Sequence, residues 1–211
     1  MKPLRDVTAV VLAGGRARRM GGQDKGLIEL NRTPLIEYAL AALQGQVDTI
    51  LVNANRNIER YAGMGYPVIE DRYSGFNGPL AGMASALSVI QTRYLVTVPC
   101  DSPALPQDLV DRLLGARAEA GAELAVAHDG TRMQPVFALL QRSLLPSLER
   151  FLDADGRKID QWYAQHRLAL ADFSDQPETF TNVNTPEDLA RMSQTPGLTR
   201  AGRPGSVRRL P

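Results

Sequence analysis

The chain has 211 residues, 44% of them hydrophobic, enough to bury one sizeable α/β core. Its net charge is +1, but the last 17 residues hold four arginines and no acid, leaving 20 cations against 23 acids in residues 1–194; that balance excludes a broad cationic face for duplex nucleic acid. A single cysteine, Cys100, excludes an internal disulfide, two histidines give no structural zinc set, and no apolar run approaches the ~20 residues that span a bilayer, so the composition points to a cytoplasmic protein that binds neither nucleic acid nor membrane. Lys2 and Arg5 precede the apolar run "VTAVVLA", but Asp6 interrupts the approach and "RARR" follows closely, a poor context for signal cleavage.

Apolar runs bounded by glycine, proline or aspartate predict strands at Val7–Leu12, Thr49–Asn53, Pro67–Ile69 and Tyr94–Val98. Between them, "TPLIEYALAAL" and "PLAGMASALSVI" space apolar residues three and four apart behind a proline suited to a first helical turn. Strands without a polar face need cover on both sides. The alternation therefore predicts an α/β, Rossmann-like, doubly wound fold of three layers with a mostly parallel sheet. In "AELAVAHDGTRMQPVFALL" two apolar runs flank Asp129-Gly130, a dipeptide that accepts the positive φ of a tight hairpin, so an antiparallel pair is expected there. Leu144–Leu152 and Ile159–Tyr163 continue with helical spacing, with Trp162 and Tyr163 in the core. "ETFTNVN" reads as a late strand, and Thr185 caps a final helix in "TPEDLARM". On this reading residues 1–194 form one domain and 195–211 a flexible basic tail.

The segment "LAGGRARRMGGQDKG" follows the first strand, the usual place of a phosphate loop in a parallel sheet. Gly14 and Gly15 let backbone amides approach a ligand closely, while Arg19 and Lys25 can bring full positive charge. The loop fits neither common template: Lys25 lies between Asp24 and Gly26, so there is no Gly-Lys-Ser/Thr, and Gly14-Gly15-Arg16 breaks G-x-G-x-x-G. A solvated surface loop is the plain alternative. Asp101, at the end of the run "YLVTVPCD", can ligate magnesium beside substrate phosphates or cap a helix starting near Ala104–Gln107. Asn53 closes the second strand with an amide that both donates and accepts, as a base or ribose edge demands, or as an ordinary loop asparagine does. "GPLAG" opens a helix whose exposed amides a ribose or base can approach, or whose small residues serve tight packing.

The pattern "LAGG...RMGG.DKGL..L...PL" resembles the opening of the molybdenum cofactor guanylyltransferases. "VNAN" (52–55), "IEDR" (69–72), "GPLAG" (78–82), "PCD" (99–101) and "NVNTPEDL" (182–189) match the same family in order, so the resemblance covers all but the tail. It implies magnesium-dependent transfer of GMP from GTP to molybdopterin cofactor, giving the guanine dinucleotide form and pyrophosphate. A phosphate oxygen would attack the α-phosphorus, and positioning with cation placement would lower the barrier between two anions. The implied catalytic set is Arg19, Lys25 and Asp101, with Asp101 on the metal. Leu12, Ala13, Gly14, Gly15, Lys25, Asn53, Asp71, Gly78 and Asp101 would form the GTP site, with backbone groups of Leu12, Ala13 and the Gly78 region reading the base. Asp71 is otherwise a turn residue. Asn182, Asn184 and Arg157 would meet the pterin substrate or its phosphate, with Lys158 as a further cation; Asn184 can equally cap the last helix. Gln134-Pro135 stands where some relatives have His-Pro. Acceptor molybdoenzymes and other cofactor-biosynthesis proteins are the implied protein partners. A cytidylyl or sugar-1-phosphate nucleotidyltransferase, or a non-catalytic cofactor carrier, is the competing reading.

Overall fold

The computed structural model describes residues 6–14, 23–73, 78–195 and 198. Seven strands form one sheet in the order β5-β4-β1-β6-β8-β7-β9. They are β1 (Val7–Leu12), β4 (Thr49–Asn53), β5 (Val68–Ile69), β6 (Tyr94–Pro99), β7 (Leu124–His128), β8 (Met133–Gln141) and β9 (Leu168–Asp172); β2 (Glu29–Leu30) and β3 (Thr33–Pro34) make a separate small ribbon. β5, β4, β1 and β6 pair in parallel. β8 runs antiparallel between β6 and β7, and β9 returns parallel to β7 at the edge. The expected doubly wound, mostly parallel sheet with one antiparallel insertion is the fold.

Alternate residues of the fully apolar strands feed two cores. Val7, Ala9 and Val11 face α1 (Leu35–Leu43) and α4 (Leu109–Glu119), while Val10 faces α3 (Pro79–Val89), α5 (Leu145–Asp153) and α6 (Ile159–Tyr163). The sheet is thus the middle of three layers. Trp162 and Tyr163 are buried in the second core, as expected. A third cluster joins Ile28, Leu30, Leu35 and Tyr38 to Val183 and to Met192 of α7 (Pro186–Ser193), tying the chain after the first loop to the carboxyl-terminal segment.

Local chemistry explains several boundaries. Thr185 accepts from the Asp188 N–H while the Asp188 carboxylate accepts from the Thr185 N–H, a reciprocal cap with Pro186 at the first helical position. The hairpin of β7 and β8 is looser than a two-residue turn: four residues connect the strands, only Gly130 takes positive φ, and the Asp129 carboxylate accepts the Thr131 and Arg132 N–H groups. Gln134 and Pro135 lie inside β8 where its register with β7 shifts, the kind of irregularity that tolerates a proline.

Two expectations of local structure need correction, and one strand is additional. "ETFTNVN" is not a strand: Pro177–Phe180 is a 3-10 turn, and the following residues cross the ends of the sheet strands instead of running beside one. Asp101 does not cap a helix near Ala104–Gln107, because α4 begins only at Leu109 with Asp108 at the cap position. β9 is a strand that the apolar patterning left unassigned; its burial alternates strictly, as befits a half-covered edge. Leu198 accepts a hydrogen bond from Asn31 and packs on the third cluster. Residues 196–197 and 199–211 of the expected tail lie outside the described residues.

Candidate active site

The strand order reverses at β1, whose neighbours are β4 on one side and β6 on the other, and such a switch point is where open α/β sheets hold ligands. The register sets Leu12 beside Pro99, so the chain leaves both strands at one place. Cys100 N–H donates to the Leu12 carbonyl at 3.2 Å, continuing the ladder past β6. Asp101 is thereby held at the mouth of the switch point, largely buried.

Lys25 opens the one-turn 3-10 segment Lys25–Leu27 and reaches this carboxylate. Its Nζ donates to Asp101 Oδ2 at 2.8 Å and to Asn184 Oδ1 at 2.5 Å. The segment carrying Asn184 is laced across the same place. Val183 N–H donates to the Asp101 carbonyl at 2.8 Å, and the buried Ser102 hydroxyl donates to Asn182 Oδ1 at 2.5 Å. Asn184 does not cap α7, since Thr185 does. The Asp101 and Asn184 oxygens that share one ammonium are also the donor set a hard divalent cation accepts. Among the described residues no three acids, histidines or cysteines cluster as a metal cage, so oxygens of an anionic substrate would complete such a set.

A second group lies on the β4 side. Asp71 is clamped by two amides: Asn53 Nδ2 donates to Oδ1 at 3.0 Å and Asn55 Nδ2 to Oδ2 at 2.7 Å, while Asp71 N–H donates back to Asn55 Oδ1 at 2.8 Å. Asn53 is 2% exposed, and its Oδ1 lies where a Cβ on Gly82 would come within 2.3 Å. Asn53 therefore supports Asp71 from inside the fold, and Gly82 of "GPLAG" is small to let α3 close on it. Asn55, the last residue of "VNAN", is a member of the group that the sequence reading does not assign; its one signal is the single residue between it and Asn53.

The remaining expected residues divide. Leu12 and Ala13 sit at the switch point, but the Leu12 carbonyl already takes the Cys100 N–H and the Ala13 N–H donates to the Asn53 carbonyl, so the ladder employs both. Gly14 follows them, exposed, its α-carbon against the Asn55 amide. Gly78 precedes α3 in extended backbone, and among the described residues nothing lies within 4 Å of where its Cβ would be. Arg157 lies on the connection between α5 and α6, which pack in the second core, and pairs with Asp155 at 2.7 Å. Gly15 and Arg19 lie outside the described residues.

Two buried groups complete the surroundings. Burial, with the neighbouring charges of Asp101 and Asp24, pushes the Cys100 thiol well above its usual range, so it stays protonated and is no nucleophile. Asp24 takes hydrogen bonds from the Tyr61 hydroxyl at 2.6 Å and from Asn57 Nδ2 at 2.9 Å. Burial first, then the bond to Asp24, raises the Tyr61 phenol far above its ordinary value, so it remains a donor. Nothing in the spacing from residue 24 to 61 could have found that cluster, which forms only when α2 (Ile58–Ala62) packs beside the first loop.

Residues 9–169 match the MobA-like NTP transferase domain. A relative named molybdenum cofactor guanylyltransferase from Shewanella sediminis is 56% identical over 188 residues, which cover 89% of this chain and 96% of the relative. The chain belongs to the MobA-like NTP transferase family. The protein of the same name from Shewanella loihica is 55% identical over the same shares. Among solved structures, molybdopterin-guanine dinucleotide biosynthesis protein A from Archaeoglobus fulgidus superposes with a TM-score of 0.75 at 23% identity, covering 89% of this chain and 97% of that one, a likeness of fold. As an NTP transferase the chain is an enzyme. Lys25, Asn53, Asp71 and Asp101 lie inside the family match, whereas Asn182 and Asn184 lie beyond it and are joined to it by the Lys25 bridge.

Proposed function

We propose that the enzyme transfers GMP from GTP to the molybdopterin cofactor, producing the molybdopterin guanine dinucleotide and pyrophosphate. The observation that carries this reading is the convergence of Asp101 and Asn184 on the Lys25 ammonium at the sheet's switch point, in a chain so similar to molybdenum cofactor guanylyltransferases. A terminal phosphate oxygen of the pterin forms a bond to the α-phosphorus while the bond from that phosphorus to the bridging oxygen breaks, and the electron pair leaves with pyrophosphate. No protein nucleophile takes part.

Lys25 binds a phosphate oxygen and offsets charge that grows on the leaving group. Asp101 and Asn184 are the residues that would hold magnesium, for which their oxygens fit, and magnesium would neutralise charge on the phosphate oxygens. Asp71, kept rigid by Asn53 and Asn55, faces the nucleoside from the β4 side, and Gly78, which precedes α3 without a side chain, lets the base approach the first amides of that helix. Gly14, Gly15 and Arg19 would line the triphosphate. Asn182, whose amide oxygen accepts from Ser102, keeps its amide N–H groups as donors for an anionic group of the pterin, with Arg157 as a more distant cation. No helix among the described residues is long and apolar enough to cross a membrane. Supply of GTP favours a cytoplasmic setting. Handing the product to acceptor molybdoenzymes would keep a dinucleotide cofactor from free diffusion.

Purified enzyme incubated with molybdopterin cofactor and an equal mixture of GTP, CTP and ATP tests the reading. Guanylylated product should dominate; a preference for CTP would overturn the guanine assignment, and no transfer from any nucleotide would overturn the reaction.

A further inference from the structure

The element Asp24-Lys25-Gly26 is gripped on both flanks by one buried residue that touches no substrate in the reaction above. On one flank, the Tyr61 hydroxyl donates to Asp24 Oδ1, and Asn57 donates to Oδ2. On the other, a Cβ on Gly26 would stand 2.6 Å from the Tyr61 hydroxyl and 3.4 Å from Cys100, so the backbone after Lys25 lies directly against Tyr61. Tyr61 is fully buried, and Asn57 holds φ 51, the left-handed conformation that asparagine tolerates better than most side chains. The residue between these two anchored neighbours is Lys25, whose side chain points away from Tyr61 to Asp101 and Asn184.

We propose that Tyr61, with Asn57 beside it, is a positioning residue of the transfer reaction: through Asp24 and Gly26 it fixes the backbone on either side of Lys25 and so sets where the ammonium meets the triphosphate. This rests on the reading of Lys25 as a triphosphate ligand. A lysine is a point charge on a flexible stem, so its value to a developing charge depends on where its backbone is held. A solvent-exposed loop cannot do this. A buried hydroxyl bonded to a carboxylate can, because the pair has no competing water. Gly26 fits the same account, since any side chain there would drive the turn off the hydroxyl.

Tyr61→Phe keeps the ring in the core and removes only the hydroxyl. In the native background it should lower kcat/KM for GMP transfer about tenfold, the scale expected for losing one bond to a charged group. In a Lys25→Ala background it should change kcat/KM little, because a residue that acts through Lys25 has nothing left to position. Equal losses in both backgrounds would overturn the proposal and leave Tyr61 as a packing residue. A crystal structure of nucleotide-free Tyr61→Phe decides the matter independently of any transfer: displacement of Lys25 from Asp101 is the expected result, and an unchanged ion pair overturns it. If the wild-type enzyme fails to transfer GMP, the functional reading falls while that crystal structure still judges the role of Tyr61.

Discussion

Lys25 Nζ and Asp101 Oδ2 are 2.8 Å apart although 76 residues separate them in sequence. The parallel register of β1 with β6 produces the meeting, because Leu12 and Pro99 are paired neighbours and each strand is followed by its charged residue on the same edge of the sheet. Before nucleotide arrives, the ammonium and the carboxylate neutralise each other in a site that is mostly shielded from water. Binding of a triphosphate gives Lys25 a second anion to meet.

Asp101→Asn keeps the size of the side chain and removes its charge. Steady-state transfer should fall by about a hundredfold or more, the magnitude typical of losing one group that stabilises transition-state charge. Lys25→Ala should weaken GTP binding and slow transfer as well. Circular dichroism and thermal unfolding of both variants should show a retained fold.

Asp71→Asn places an amide against the amides of Asn53 and Asn55, so at least one donor faces a donor. Leaving such a group unsatisfied costs about 1–3 kcal/mol. The GTP KM should rise about tenfold or more, and Asn55→Ala should raise it less, since Asn53 still holds one oxygen. An unchanged KM in both variants would remove Asp71 from the nucleotide site.

Gly82→Ala forces the Asn53 amide to move, because its oxygen stands where the new carbon would be. Overpacking of this kind costs about 1–3 kcal/mol, readable as a lower urea midpoint. The variant should also raise the GTP KM, as the displaced Asn53 no longer aligns Asp71. Gly78→Ala is the matching control for stability: among the described residues nothing lies within 4 Å of the added carbon, its backbone is extended, and its urea midpoint should fall less than that of Gly82→Ala.

These interactions mark how far sequence reading extends. The positions of Gly14 and Asp101 just past the carboxyl ends of β1 and β6 were legible because the end of an apolar strand is recognisable from the residues themselves. The parallel sheet and the cap at Thr185 were legible for the same local reason. Asn53 illustrates the opposite case. An amide that can donate and accept looks like a ligand contact in sequence, yet burial under Gly82 makes it a support for Asp71. The Asp24–Tyr61 bond and the Lys25–Asn184 bond join residues whose proximity is set by packing over 37 and 159 positions, and no local pattern encodes that. "ETFTNVN" reads as a strand because Thr179, Phe180, Thr181 and Val183 are β-prone, but Phe180 ends a 3-10 turn and the Val183 N–H donates to the Asp101 carbonyl across the strand ends.

Stability should depend on acid in a defined window. The Asp188 carboxylate is held below the usual aspartate range by the Asn184 and Thr185 N–H groups, and Asp175 is lowered by Arg112. A carboxyl whose folded value is depressed contributes stability above its unfolded value and loses it as pH falls through the folded one. The melting temperature should therefore change little from pH 7 to 5 and drop below about pH 4. Asp188→Asn should flatten that drop.

Cys100→Ala should leave the transfer rate close to that of the wild type, and thiol alkylation under native conditions should not inhibit, because the buried thiol stays protonated. Loss of activity on alkylation of folded enzyme would point to a thiol step absent from the proposed reaction.

The most direct test of the central claim follows the phosphorus. GTP labelled at the α-phosphate should pass its label to molybdopterin, and GTP labelled at the γ-phosphate should release it as pyrophosphate, with both outcomes suppressed in Asp101→Asn and Lys25→Ala. Transfer of the γ-label to the pterin, or undiminished transfer by both variants, would contradict the account.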